Sequence, residues 1–352
     1  MRGMRASALA AQRLDEPADG VPRPSDTERS LAGRRSQPIR VRATAPGRAC
    51  PTSGRIPRMP EPLGAESLRR VLGPTTAAAV GDIETVGERQ CEGYLLRHVA
   101  YRVPSGRASV FVCIPDGLAR PAPLVFCHHQ HASRFDLGKS EVVGLRGNAD
   151  QRYAAELAQR GFVTIAPDAI GFEDRNWDGG ANIGWFELSS RLVRGRTLLA
   201  DLLQEVSLAI DYGASLPEVD AARVGFIGHS YGGRMAIWAP AWDQRIRASV
   251  SNCGCIPYRD SAARDAGFQA DFVIPGFARD YDIEDVLSAA PQCRYLLIAG
   301  DQDVWSRGAA DIARELEHRG HDHATVRIRP GGHEFPFEDR ELAYGFLESA
   351  LA

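Results

Sequence analysis

The pattern G-x-S-x-G occurs at residues 228–232, with Ser230 as its central serine. An apolar run over 223–227 precedes it, and a helix-compatible run over 234–239 follows it. This strand–turn–helix setting is the one in which the pattern presents a nucleophilic serine. The backbone of such a turn is strained, and glycines two residues before and after the serine relieve the crowding. The sequence therefore predicts that Ser230 is a catalytic nucleophile.

A serine hydroxyl is a poor nucleophile at neutral pH and needs an adjacent base. After this motif the partners come in the order acid, then histidine, each on a loop behind a later strand. A strand predicted at 295–299 leads to Asp301 and Asp303, and one at 325–328 leads to a glycine-rich loop that carries His333. We predict His333 as the general base and Asp303 as the acid that orients it. Asp301 is the competing candidate, which we expect to hydrogen-bond its own turn.

An acyl-transfer site also needs backbone N–H donors for the oxyanion. One is expected from Tyr231, the residue after the nucleophile, and the other from the loop behind the strand predicted at 124–127. That loop contains three histidines and none of the usual glycines. Two alignments of this loop with the usual His-Gly pair remain open. If His129 and Gln130 replace the pair, which we favour, the donor is the N–H of His131. If His128 and His129 replace it, the donor is the N–H of Gln130.

Two aromatic-rich stretches, 171–196 and 253–289, interrupt the remaining pattern. Each follows a predicted strand at the edge where open α/β sheets bind ligands, so they are expected to form lid-like walls of a pocket. In an equally weighted interpretation, their aromatic side chains only pack these loops. The pocket candidates in the first stretch are Phe172, Trp177, Trp185 and Phe186.

We predict no metal and no cofactor. The histidines at 128–131 alternate across a strand end, so all three cannot easily face one ion, and no carboxylate or cysteine is close in sequence. A second histidine-rich cluster, at 318–323, is interpreted as a solvated loop. The Cys253/Cys255 spacing lacks the second cysteine pair of a zinc site.

From about residue 60 onwards, strands alternate with helices, which indicates a mostly parallel α/β sheet with helices on both faces and an N-terminal β-hairpin. The predicted strands are 94–103, 108–114, 124–127, 162–166, 224–227, 246–250, 295–299 and 325–328. The predicted helices are 66–72, 149–160, 197–215, 308–318 and 339–350.

Residues 1–58 are rich in arginine, proline and serine and lack a sustained period, so we predict a disordered tail before a single catalytic domain at 59–352. The 352 residues are 44% hydrophobic and carry a net charge of −3, which gives no reason to expect a nucleic-acid or membrane partner. The seven cysteines are scattered, which favours free thiols and a cytoplasmic location. The oligomeric state is not predicted.

With these residues in place, the chain from about residue 60 resembles the serine α/β-hydrolases, and within them the dienelactone hydrolase-like and acetyl xylan esterase-like branch. The matching segments are 129–131, 137–141, 167–172, 228–233, 300–303 and 331–333. The resemblance implies the α/β-hydrolase fold and hydrolysis of a small carboxylic ester, such as an acetyl ester, through an acyl-enzyme. Dienelactone hydrolases themselves carry cysteine where this chain has Ser230, which favours an ordinary esterase. The alternatives are a thioesterase or acyltransferase, a prolyl-oligopeptidase-like peptidase with the same triad, and a non-catalytic binding protein.

Overall fold

A computed structural model describes residues 61–180, 182–263 and 268–352. The tail predicted at 1–58 lies outside these residues. Within them, no helix is both long and apolar enough to cross a membrane.

The described residues contain one nine-stranded sheet, in the order β1-β2-β3-β5-β4-β6-β7-β8-β9. Strands β1 to β3 form an antiparallel meander, β3 pairs antiparallel with β5, and the last six strands in this order run parallel to one another. The strands are β1 Gly81–Cys91, β2 Tyr94–Val103, β3 Gly106–Pro115, β4 Ala122–His128, β5 Val163–Pro167, β6 Val219–His229, β7 Ile246–Asn252, β8 Arg294–Gly300 and β9 Ala324–Arg329.

Helices cover both faces of the sheet, and each face has its own buried apolar cluster. One cluster includes residues of α5 and α6, and the other includes residues of α3 and α11. The helices are α1 Ala65–Leu72, α2 Lys139–Val142, α3 Tyr153–Gln159, α4 Ile183–Leu192, α5 Leu198–Ala214, α6 Tyr231–Trp242, α7 Tyr258–Ala263, α8 Phe277–Asp280, α9 Ile283–Ser288, α10 Ala309–His318 and α11 Phe337–Ala350.

The predicted mixed architecture is confirmed, with three differences in detail. The N-terminal hairpin is a three-stranded meander, because β1 pairs along β2. The helix predicted at 149–160 begins only at Tyr153, after a short 3-10 turn capped by the Asn148 side chain. The two interrupting stretches contain helices of their own: α4 lies in the first, and α7, α8 and α9 lie in the second.

Candidate active site

Ser230 occupies a sharp turn between β6 and α6. Its backbone has φ 57° and ψ −111°, a conformation that residues with a side chain rarely adopt. A Cβ at Gly228 would lie 2.3 Å from the Gly232 carbonyl carbon, and one at Gly232 would lie 2.1 Å from the His128 oxygen. Only glycine fits at either position. The Ser230 side chain is therefore held at the carboxyl end of the parallel strands by a turn that the flanking sequence makes possible.

The loops behind β8 and β9 bring two further predicted residues to this serine. His333 Nε2 lies 2.7 Å from Ser230 Oγ, and His333 Nδ1 lies 2.9 Å from Asp303 Oδ1. The Asp303 side chain is buried, whereas 34% of the His333 side chain is exposed. A serine, an imidazole and a carboxylate thus form one hydrogen-bonded chain.

Asp303 is held as a carboxylate by its neighbours. Its Oδ1 accepts the Trp305 N–H at 3.0 Å, and its Oδ2 accepts the Ser306 hydroxyl at 2.6 Å. Burial acts to raise the pKa of Asp303, but the hydrogen bonds from His333 and Ser306 outweigh it and hold the pKa below its ordinary value. The charge that could stabilise an imidazolium is therefore present at neutral pH.

Asp301 makes a different hydrogen bond from the one that we predicted. Its Oδ1 accepts the N–H of Gly331 at 3.0 Å, in the loop that carries His333, rather than an N–H of its own turn. The Gln302 N–H donates to the Gly331 oxygen at 3.0 Å, so the two loops are joined twice at this point. The predicted hydrogen bond within the turn is not formed among the described residues. The observed bond joins residues 30 positions apart, and the sequence of one turn cannot indicate so distant a partner.

Asn252, at the end of β7, was not identified from the sequence. Its main-chain oxygen accepts the Ser230 N–H at 2.8 Å. Its side-chain amide lies 2.7 Å from His229 Nδ1 and donates to the Glu334 oxygen at 3.1 Å. Burial lowers the pKa of His229 to about 3, so this ring is neutral and Nδ1 accepts the amide proton. One buried residue thus contacts the serine turn and the histidine loop together.

The loop behind β4 is fixed by its own histidines. His129 Nδ1 donates to the Gln130 oxygen at 2.8 Å, and His129 Nε2 accepts the Ala169 N–H at 3.1 Å. Burial lowers the pKa of His128 to about 3 and that of His129 to about 4, so both rings are neutral. The Gln130 side chain donates to Glu141 at 3.1 Å. These contacts fix the loop that carries both alternatives for the second oxyanion donor, His131 and Gln130.

An aromatic wall lies around the ring of Tyr231, the residue after Ser230. Phe172 stacks on Tyr231 with ring centres 5.6 Å apart, and Phe272 meets its edge at 5.7 Å. The His131 ring lies 5.2 Å from Phe172, and Phe135 stacks on Phe172 at 5.1 Å. Of these, Phe135 was missed by the sequence reasoning, because it lies outside both aromatic-rich stretches.

The other pocket candidates lie apart from this wall. Trp177 and Trp185 are 65% and 64% exposed. Trp177 stacks on Phe186 at 5.7 Å and donates its indole N–H to Glu187. Of the four predicted pocket residues, therefore, only Phe172 contacts the Tyr231 ring.

A buried cage around the chain's single lysine joins two loops near the site. Lys139 Nζ lies 2.7 Å from Asp168 Oδ2, 2.8 Å from Glu173 Oε1 and 2.7 Å from Asp174 Oδ2. Burial acts to lower the pKa of Lys139, but Asp168 and the other carboxylates outweigh it and hold the pKa above its ordinary value. The ammonium is therefore charged, and it joins the segment after the histidine loop to the segment around Phe172.

Among the described residues, two groups of side chains have metal-ligand atoms close together: Cys253 with Asp303 and His333, and the three carboxylates of the lysine cage. In the cage, the lysine ammonium already supplies the positive charge. Neither histidine cluster considered above forms such a group in the described part of the chain.

The family model for the dienelactone hydrolase family matches residues 139–344, more than half of the chain. The chain belongs to the dienelactone hydrolase family. As a member of it, the protein is an enzyme, a hydrolase of carboxylic esters.

A curated protein and two solved structures illustrate what the chain is similar to. The Bacillus subtilis (strain 168) protein named "Putative hydrolase YtaP" is 27% identical over 217 residues, which cover 60% of this chain and 71% of that protein. A structure described as "a putative acetyl xylan esterase" from Bacteroides fragilis NCTC 9343 has a TM-score of 0.61 at 17% identity, covering 76% of this chain and 73% of that one. Glucuronoyl esterase from Solibacter usitatus has a TM-score of 0.59 at 19% identity, covering 80% and 88%. At these identities, the two structures establish a shared α/β-hydrolase fold.

Proposed function

We propose that the protein is a serine esterase that cleaves a small carboxylic ester through an acyl-enzyme on Ser230. The observation that carries the proposal is the continuous chain from Ser230 Oγ through both nitrogens of His333 to Asp303. The strained backbone at Ser230 supports it, because strain of this kind persists where the surrounding structure imposes it and clusters at active sites.

Ser230, His333 and Asp303 each have a distinct role in the proposed reaction. His333 Nε2 takes the proton of Ser230 as Oγ bonds to the ester carbonyl carbon, and then gives that proton to the departing alcohol. Asp303 holds the Nδ1–H tautomer of His333 and stabilises the imidazolium. A water, deprotonated by the same nitrogen, then releases the acid and restores the serine.

The negative oxygen of the tetrahedral intermediate needs N–H donors that are already in place. We assign one to the backbone of Tyr231 and the other to His131, with Gln130 as the alternative. The fixed conformation of the histidine loop supports this assignment, since His129 holds the loop through both of its ring nitrogens.

Acetyl esters and other small esters are our proposed substrates. An acetyl xylan esterase from Paenibacillus sp. R4 is among the structures that share the fold, which supports this choice. A cytoplasmic location is part of the proposal, supported by the free thiols of the six cysteines in the described residues.

A panel of esters tests this proposal, with acyl chains of increasing length, acetylated sugars, a thioester and an added alcohol acceptor. We expect hydrolysis of short-chain esters, with kcat/KM lowered about 10⁴-fold or more in Ser230→Ala. Equal turnover by the variant would contradict the assignment of the nucleophile. Faster cleavage of the thioester than of the esters would favour a thioesterase. Faster transfer to the alcohol than to water would favour an acyltransferase.

A further inference from the structure

Cys253 lies directly beside the acid–base pair. It follows β7 with a positive φ of 53°, and its side chain is buried. One ligand atom from each of Cys253, Asp303 and His333 lies within 4.8 Å of the others. The mechanism proposed above uses the carboxylate and the imidazole but assigns no part to the thiol.

A thiolate sulfur, an imidazole nitrogen and a carboxylate oxygen are the three donor types that Zn²⁺ binds in proteins. Bonds of ~2.0–2.3 Å place the ligand atoms of a tetrahedral zinc site roughly 3.3–3.7 Å apart. The three groups are therefore within about 1 Å of the arrangement that zinc requires. Water can supply the fourth ligand.

The charges also fit a divalent ion. A cysteine binds zinc as a thiolate and an aspartate binds it as a carboxylate, so binding displaces the proton of the Cys253 thiol. The dication would then be balanced by one thiolate and one carboxylate, which leaves the buried site with no net charge.

The triangle lies close to the surface at His333. A third of the His333 side chain is exposed, and Asp303 and Ser306 also line a cavity of about 440 Å³. The Cys253 sulfur lies 3.8 Å from the main-chain oxygens of Gly332 and Glu334, the residues on either side of the histidine.

We propose that Cys253, Asp303 and His333 form an inhibitory Zn²⁺ site. Zinc takes His333 Nδ1 in place of the proton shared with Asp303, so the neutral ring carries its proton on Nε2. That nitrogen then donates and cannot accept the proton of Ser230, and the nucleophile is no longer activated. The ion is an inhibitor here, not a cofactor. The inhibition rests on the proposed esterase mechanism, whereas metal binding does not.

The test measures binding and activity separately on the full-length, chelator-treated protein. Co²⁺ should bind with one-to-one stoichiometry and give a thiolate-to-cobalt charge-transfer absorption. Zn²⁺ should displace Co²⁺ and inhibit ester hydrolysis reversibly. Binding of Zn²⁺ to the metal-free protein should release about one proton per ion. In Cys253→Ala and Cys253→Ser the absorption should vanish, and the Zn²⁺ concentration for half inhibition should rise at least about 10–100-fold.

Cys255→Ala is the matched control, because this cysteine is also buried and lies two residues away, outside the triangle. It should keep both the absorption and the inhibition. No charge-transfer band in the folded wild-type protein, or equal zinc sensitivity in the Cys253 variants, would overturn the site. Cobalt binding that depends on Cys253 in a protein that hydrolyses no ester would support the site while contradicting the proposed function.

Discussion

The main-chain oxygen of Asn252 accepts the N–H of Ser230, while the side chain of the same residue donates to the loop that carries His333. Ser230 and His333, the proposed nucleophile and base, are 103 residues apart in sequence and come from loops behind different strands. Asn252 lies between them at the end of β7 and contacts both loops. We infer that it is a positioning residue, which keeps the serine–histidine distance constant.

Asn252→Ala should lower kcat about 10–100-fold with a much smaller change in KM, because a small misplacement of the base slows the chemical step. Ser251→Ala is the matched control. Ser251 is also buried on β7, and its hydroxyl has no hydrogen-bond partner among the described residues. Steady-state kinetics on one short ester compare the two variants. An equal change in kcat for both would mean that the asparagine side chain does not position the histidine.

The two aspartates behind β8 should differ sharply in their effect on rate. Asp303→Asn removes the carboxylate from His333 and favours the wrong tautomer, so kcat should fall about 10³–10⁴-fold. Asp301→Asn leaves that contact intact and weakens only the bond to the Gly331 N–H, so its effect should be under about tenfold. Measured kcat values in the reverse order would transfer the role of orienting acid to Asp301.

Asp271 should make the protein less stable as the pH rises. Burial raises its pKa to about 6, even though it accepts the hydroxyl of Tyr231 at 3.0 Å. The folded protein therefore keeps a proton that the unfolded chain loses near pH 4. The stability gained from this proton is fully present below about pH 4 and is lost as the pH rises through 6. From pH 5 to pH 8, this loss is about 1 kcal/mol of unfolding free energy.

Asp271→Asn should lack this component, so the difference in unfolding free energy between the variant and the wild type should change by about that amount over the same range. Urea unfolding at pH 5 and pH 8 measures it. If the difference is the same at both pH values, the aspartate is already ionised at pH 5 in the folded protein.

Lys139→Met should cost about 3–5 kcal/mol of unfolding free energy at neutral pH, because it leaves buried carboxylates without their cation. The loss should shrink under acidic conditions, where the carboxylates can hold protons. Arg194→Ala is the control. Among the described residues, this exposed guanidinium contacts only a main-chain oxygen, so its loss should change stability by ~0.5 kcal/mol or less. Denaturant midpoints compare the variants, and equal losses would contradict a structural role for the cage.

The candidate serine, acid and histidine could be predicted from the sequence because each follows an apolar strand. Carboxyl ends of parallel strands meet at one edge of a sheet, so Ser230, Asp303 and His333 could be expected to lie near one another. The mixed α/β architecture followed from the same alternation. Strand β1 was not predicted. Nearly all of its residues are exposed, so its sequence lacks the alternation of apolar and polar residues that predicts a half-buried strand.

Contacts between loops that are distant in sequence could not be predicted in this way. Asp168 binds Lys139, which precedes it by 29 residues in a different loop. The only sequence signal was that this residue is the single lysine in an otherwise arginine-based chain. Asn252 gave no signal, because its three contacts lie on segments whose proximity depends on the finished sheet.

Covalent labelling tests the central claim most directly. The folded protein is treated with a fluorophosphonate, and the modified peptide is identified by mass spectrometry. We predict one adduct, on Ser230, formed in step with the loss of esterase activity, and no adduct in Ser230→Ala. An adduct on another residue that accompanies complete inactivation, or esterase activity that survives full labelling of Ser230, would contradict the claim that this serine is the nucleophile.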